Sequence, residues 1–455
     1  MKLVKSLLLG SAAGIAAVAG AQAADLPSRK AAPVEYVRVC SAYGAGFFYI
    51  PGTDTCLRVG GRVRAEYTIG TRYGDTGDAY GTRSRGRLNV DARTATAYGT
   101  LRTFFRYELT VSSGFYAGTI GGNQGIIAPG QARNGQGGPG TASNLDLAFI
   151  QFGPITAGRA QSFFDFYAND LTFSTFRTAD SRLNLLAYTA TFGSGFSATI
   201  SLEDRNTGTG QRENGGVVGG ATVPLLGQNF PDLVASLRVD QGWGSAQLSG
   251  ALTQRSVNNA ALAVKNQDEW GWAIQGGVKI NLPMLAAGDH LFLQAAYADG
   301  ALGYLGWYSQ LGSGRMTSSV AGNQLAISDV SVNALGNVKT ATGWSIVAAL
   351  RHFWTPTLRS ELAASYSELK LGYTQAGIFP VGVAPRALDP KELIVAGNLI
   401  WSPVSGLDIG VEVLYTRTEL KQAVLAVDNS GARVGPNTVK SDDAWTGRLR
   451  IQRDF

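Results

Sequence analysis

From Leu57 onward the chain alternates. Leu57, Val59, Val63, Ala65, Tyr67 and Ile69 share one parity, and Arg58, Arg62, Arg64, Glu66 and Thr68 share the other. A period of two marks a strand with one apolar and one polar face. Leu88, Val90 and Ala92 then oppose Arg85, Arg87, Asn89, Asp91 and Arg93, and Leu101, Phe105, Tyr107, Leu109 and Val111 oppose Arg102, Arg106, Glu108 and Thr110. Hairpins follow with tight turns: Leu186 to Phe192 reverses at Gly193-Ser194-Gly195 into Phe196 to Leu202, and Leu393 to Trp401 reverses through Ser402 to Gly406 into Leu407 to Tyr415.

The pattern predicts about sixteen strands, at 57–69, 83–93, 98–111, 144–152, 155–160, 184–192, 196–204, 233–240, 245–255, 268–280, 290–299, 343–353, 357–368, 390–401, 407–417 and 443–455. Their connections strictly take turns, long ones of roughly 12 to 43 residues and short ones of roughly two to nine, against ordinary connections of about 4–6. A transmembrane up-and-down barrel explains this rhythm, with short periplasmic turns, long outer loops and an even strand number. A sandwich or propeller does not. Aromatics also gather at strand ends: Tyr67, Tyr107, Trp270, Tyr297, Trp344, Tyr366, Tyr415 and Trp445 near long loops, Phe192, Phe196 and Trp401 near short turns. Two interfacial belts are expected of such barrels.

An arginine at the lipid-facing midplane of a barrel costs about 2–4 kcal/mol, so the arginine-bearing parity must face inward. Sixteen strands enclose an aqueous channel rather than a filled core. The expected fold is therefore all-β, a transmembrane antiparallel up-and-down β-barrel with a charged, wet lumen.

Composition agrees. Of 455 residues 45% are hydrophobic, 16% are charged and 59 are glycine, whereas soluble domains average about 25% charged and roughly 7% glycine. Beyond the N-terminus no apolar run approaches the ~20 residues of a membrane helix. Met1 to Ala23, with Lys2, Lys5, an apolar stretch and Ala21-Gln22-Ala23, reads as a signal peptide cut before Ala24; the apolar run is short for an anchoring helix. The mature chain then has an N-terminal segment, 24–56, and a barrel, 57–455. Cys40 and Cys56, the only cysteines, are most simply a disulfide in an exported protein. The formal charge of +6 gives nucleic-acid binding no support.

The third long connection, 161–183, differs from the glycine-rich second. It holds Phe163, Phe164, Phe166, Tyr167, Phe173 and Phe176, rings that a solvated tip would expose at a cost. Folded against the inner wall, it buries them and presents Asp165, Asp170 and Asp180 to the lumen, with Arg177 and Arg182 balancing part of that charge. The first three strands oppose it with Arg58, Arg62, Arg64, Arg85, Arg87, Arg93, Arg102 and Arg106 against Glu66, Asp91 and Glu108. The result is a pore constriction crossed by a transverse field, although any single arginine could instead merely pair with a neighbouring carboxylate.

Rival functions are weaker. A barrel enzyme would need a base such as histidine, and His290 and His352 lack a convincing serine-aspartate setting. No P-loop, zinc pattern or calcium loop occurs, so neither cofactor nor metal is expected. A plugged transporter would need a much longer N-terminal domain. A substrate-selective channel for a sugar or an anion stays open.

The stretch A-A-D-L-P followed by V-E-Y-V-R-V-C-S-A-Y-G-A-G-F-F-Y-I-P-G-T-D-T-C-L-R-V-G-G resembles the porin family of alpha-proteobacteria, as do G-R-A-Q-S-F-F-D-F-Y and N-L-L-A-Y-T-A-T-F-G-S-G-F-S-A-T-I-S-L-E-D. The resemblance covers nearly the whole chain. It implies a homotrimeric, sixteen-stranded, water-filled channel in the outer membrane that passes small hydrophilic solutes passively, with the third extracellular loop folded into the lumen at Asp165 and Asp170. It also implies neighbouring lipopolysaccharide and, through the terminal Phe455, the outer-membrane assembly machinery as partners. Arg453 departs from the aromatic or apolar residue common near that terminus; its side chain could snorkel to the interface. The second loop, Ser112 to Ser143, is long enough to reach a neighbouring subunit, or to be a disordered surface loop.

Overall fold

The computed structural model describes residues 38–70, 79–114, 140–208, 216–218, 221–223, 229–259, 264–307, 327–332, 337–374, 379–380, 382–384, 386–427 and 433–455. The predicted export segment and most of the second loop lie outside these. The chain divides into two units, Met1–Cys56 and Leu57–Phe455. In the first, a disulfide joins Cys40 to Cys56 with their Cα atoms 6.0 Å apart. Phe47 is buried against it, flanked by Tyr43 and Tyr49.

The second unit is a closed antiparallel barrel of sixteen strands. They are β1 (Thr55–Gly70), β2 (Tyr80–Thr96), β3 (Gly99–Gly114), β4 (Gly140–Phe152), β5 (Ile155–Gln161) and β6 (Arg182–Gly193). Next come β7 (Phe196–Asp204), β8 (Asp232–Gln241), β9 (Gly244–Asn259), β10 (Val264–Asn281) and β11 (His290–Asp299). The last five are β12 (Thr342–Thr355), β13 (Leu358–Lys370), β14 (Lys391–Val404), β15 (Leu407–Val427) and β16 (Arg433–Asp454). β1 closes on β16, with Arg62 opposite Asp454 and Gly70 opposite Thr446. Closure leaves no open edge, so every strand's backbone groups can be paired inside hydrocarbon.

The alternation sorts as expected. On β1, Val63 and Tyr67 are 58% and 52% exposed on the outer face, while Glu66 and Thr68 are each 1% exposed on the inner one. Outer aromatics pair near the long loops, Trp272 with Tyr297, Trp344 with Tyr366 and Tyr415 with Trp445. Trp243, Trp354 and Trp401 stand exposed near the short turns. The β6–β7 reversal takes positive φ at three consecutive residues, Gly193, Ser194 and Gly195. Glycine on either side suits that geometry, and a Cβ on Gly195 would run into the Asp240 backbone.

Two features exceed the periodicity. β15 and β16 continue about ten residues beyond the predicted ends, and β9 and β10 nearly meet, reducing a connection read as roughly 12 residues to residues 260–263. There the strict alternation is lost, as in the apolar run Ala423-Val424-Leu425-Ala426-Val427 of β15, so the side-chain signal fades although backbone pairing continues; the β15–β16 register breaks after Glu419, near that limit. The second is a four-stranded sheet in the fourth and sixth long connections, built from Gly216–Val218, Ala221–Val223, Val330–Val332 and Val338–Thr340. Three residues are too few to display a period.

Val413 lies mid-strand on β15 with 54% of its surface exposed outward. Val413→Arg should therefore lower unfolding stability in lipid vesicles by about 2–4 kcal/mol, read from denaturant titration; an unchanged midpoint would place this residue outside the hydrocarbon.

Candidate functional site: a constricted lumen

Residues 162–181 leave β5 and return to β6 across a neck closed by Ser162 N–H donating to Ser181 O at 2.9 Å. From there the loop crosses the lumen on inward side chains of the opposite strands. Gln247 of β9 donates to the carbonyls of Phe163 and Asp165 at 3.2 and 3.1 Å, and Gln275 of β10 donates to that of Phe164 at 2.8 Å. Gln294 of β11 accepts from Tyr167 N–H at 2.9 Å. Further along, Glu412 of β15 accepts from Phe173 N–H at 2.5 Å and from the Ser174 hydroxyl at 2.6 Å. Arg450 of β16 lies 3.9 Å over the Phe173 ring. The rings noted in the sequence pack inward: Phe164 meets Tyr304, and Phe166 and Tyr167 meet Phe292.

The three loop aspartates separate into two roles. Asp165 is 8% exposed and accepts from Ser181 N–H at 2.7 Å and from Gln161 at 2.5 Å, bracing the neck. Asp170 and Asp180 stand on the rim of a cavity of about 640 Å³. Arg182 joins them, 3.5 Å from Asp180 and 3.3 Å from Asp146.

Arg177 departs from its predicted place on the lumen. It is 1% exposed, with Nε and Nη2 donating to Glu392 at 2.5 and 2.9 Å and Nη1 donating to Gly306 O at 2.8 Å. Its guanidinium lies 3.5 Å from the centre of the Trp307 ring. Trp307 belongs to the sixth long connection, whose described residues also turn inward: Ala301, Leu302, Tyr304, Leu305 and Trp307 are fully buried, and Asp329 is salt-bridged to Arg255 at 2.9 Å. Sequence reading missed this second inward loop, although G-Y-L-G-W-Y at 303–308 carries the aromatic excess that revealed the first.

Across from the rim stands the basic wall. Arg62, Arg64, Arg85, Arg87 and Arg106 line the cavity, whereas Arg58 is exposed away from it and Arg102 lies beyond the lining, sharing Asp91 with Arg93. Arg351, Arg359, Arg448 and Arg450 join the lining; for the last two, the alternation Arg448, Arg450, Gln452, Asp454 was readable on β16. Many of these pair: Arg62 with Asp454 at 2.6 Å, Arg87 with Glu108 at 2.5 Å, Arg450 with Glu66 at 2.7 Å, and Arg83 with Glu66. Eleven arginines line the cavity against seven carboxylates, so positive charge prevails even with Glu66 and Glu412 counted behind the lining. Asp170 is exposed on the lumen side, yet surrounding protein and then the nearby Asp180 charge push its carboxyl above the usual aspartate range.

A closed barrel with an apolar outer face, a charged lumen and an inward loop defines a class, the outer-membrane channels that admit solutes through water. Residues 25–448 match the family described as Porin subfamily. Porin Omp2b of Brucella suis is 35% identical over 331 residues, covering 65% of this chain and 85% of the relative. Porin Omp2b of Brucella neotomae is 30% identical over 463 residues, covering 99% of each. In fold, the chain is similar to the outer membrane channel DcaP of Acinetobacter baumannii, with a TM-score of 0.61, 16% identity and coverage of 90% and 99%. The chain belongs to the porin family: it is an outer-membrane porin, a channel for passive diffusion.

Glu392→Gln leaves the Arg177 charge buried without its anion, a change that costs about 3–5 kcal/mol in comparable pairs. Heat-denaturation mobility shifts should show a clear loss of stability; an unaltered transition would deny the pair its anchoring role. Asp170 supplies a pH test. Its proton binds above the usual aspartate value, and binding removes a negative charge from the rim. Mild acidification should therefore raise the anion-to-cation permeability ratio, while Asp170→Asn should start higher and stay flat over the same interval.

Proposed function

We propose that this porin is a non-enzymatic, anion-favouring channel for small hydrophilic solutes. The observation that carries this reading is the excess of arginine over carboxylate around the narrowed lumen. Rings of fixed charge set ion preference, and guanidinium groups stay protonated at any physiological pH. The loop carboxylates Asp170 and Asp180 oppose the wall and supply a transverse field that orients dipolar solutes, whereas apolar ones cannot replace the ordered water they displace. Asp165 and Arg177 act behind this surface by holding the loop.

We place the protein in the outer membrane after removal of residues 1–23, beside lipopolysaccharide, with Phe455 read by the assembly machinery. Its partner is two further copies of itself. β5 has seven residues, and at about 3.4 Å per residue and ~40° of tilt it rises only roughly 18 Å, less than the ~25 Å apolar band of such barrels. A neighbouring subunit against that low wall would keep lipid from it. Native electrophoresis should then show a species of three chains that heat converts to one.

Reversal potentials across planar bilayers test the selectivity. Replacing Arg62 and Arg64 together by glutamine should move the reversal potential toward the cation value, and replacing Arg102, which lies off the cavity, should move it less. Equal shifts, or none, would remove the wall from the selectivity mechanism.

A further inference from the structure

The arginines of the basic wall are held in two different ways. Arg62, Arg83, Arg87 and Arg450 direct Nε at a carboxylate, which positions the guanidinium and cancels its charge together. Arg64, Arg85 and Arg106, one on each of β1, β2 and β3, direct Nε at a neutral oxygen instead. Gln452 accepts from Arg64 at 2.9 Å, Thr110 from Arg85 at 2.9 Å and Asn89 from Arg106 at 2.9 Å. A neutral acceptor fixes the direction of the fork without offsetting its charge. Arg85 and Arg106 keep only end-on contacts to acids, at 3.2 Å to Glu108 and 3.4 Å to Asp146.

Arg64 and Arg85 are neighbours in the wall, and Arg106 stands further toward the short turns, past the Arg87–Glu108 pair. Arg83 of β2 reaches Glu66 of β1, so the next inward residues toward the short turns, Arg85 and Arg64, sit beside each other across the same strand pair. Arg106 pairs with Asn89, four residues further along β2 from Arg85. All three line the cavity, where the third loop contributes the hydroxyls of Thr172 and Ser174 beside the carboxylates of Asp170 and Asp180.

Resting on the pore reading above, we propose that Arg64, Arg85 and Arg106 form a ladder that binds phosphate-type dianions, inorganic phosphate or a phosphomonoester, and passes them through the constriction. A carboxylate is satisfied by one guanidinium fork. A tetrahedral dianion offers oxygens to two forks at once, and its charge is balanced better by two guanidinium groups than by one. The glutamine, threonine and asparagine partners are the positioning residues of this site.

The test uses the full-length protein in planar bilayers with potassium chloride as the carrier. Inorganic phosphate should lower the chloride current about twofold or more, as an occupied anion site in a narrow pore does, and acetate at equal ionic strength should not. Glycerol phosphate in a separate arm distinguishes the two sources: a matching block extends the site to phosphomonoesters, and a block by inorganic phosphate alone limits it to the free ion. Arg64→Gln with Arg85→Gln should abolish the phosphate effect. Thr110→Glu with Gln452→Glu, which keeps every arginine but supplies the missing acids, should abolish it too and covers the case in which the first variant fails to fold. Equal action of phosphate and acetate on an open wild-type channel, or a full phosphate block in the glutamate variant, overturns the ladder while leaving the pore intact; an inserted protein that carries no current overturns the pore reading itself.

Discussion

Inside hydrocarbon an unpaired backbone amide or carbonyl costs several kcal/mol, and this chain meets that constraint by closing sixteen strands on themselves through the β1–β16 ladder. Closure has a second consequence: each strand presents one face to lipid and one to the interior, so a residue's parity decides its solvent. An arginine at position 62 or 64 is unfavourable if the register slips by one, because the whole charged set would then face lipid. The charges of the lumen therefore fix the register as well as fill the pore.

That dependence explains what could be read in the sequence. Arg62, Arg64, Glu66 and their outward partners Val63, Tyr67 and Ile69 announce the wall because lipid and water impose opposite demands on adjacent residues. The inward third loop was legible for a similar reason, since Phe164 and Phe176 needed burial. Arg177 misled, because composition gives its charge but not its depth; only the fold brings Glu392, 215 residues away, within reach of it. The sixth loop was hidden by its length, and the short strands at Val330–Val332 and Val338–Thr340 by their brevity.

Buried ion pairs recur where the loops turn inward. Arg177 with Glu392, Arg205 with Asp232 and Arg255 with Asp329 are all nearly or wholly buried. Such pairs are poor sources of net stability compared with packed hydrocarbon, but losing one partner is costly. They suit a loop that must occupy one place inside a wet barrel, where a greasy contact alone could slide. The amide anchors Gln247, Gln275 and Gln294 serve the same end: each meets the loop's main chain, so the loop's course is held directly.

The lumen must reconcile two needs that conflict. An arginine left without support would collapse onto the nearest carboxylate or fold back on the wall, and an arginine fully paired would contribute little field to the channel. Pairing through Glu66, Glu108 and Asp454 supplies the rigid frame, and neutral acceptors at Gln452, Thr110 and Asn89 leave selected guanidinium groups charged and aimed. Selectivity in such a pore depends less on how many arginines face the water than on which oxygen holds each one. Exchanging glutamine for glutamate behind a guanidinium therefore changes the channel more than its small change in shape suggests.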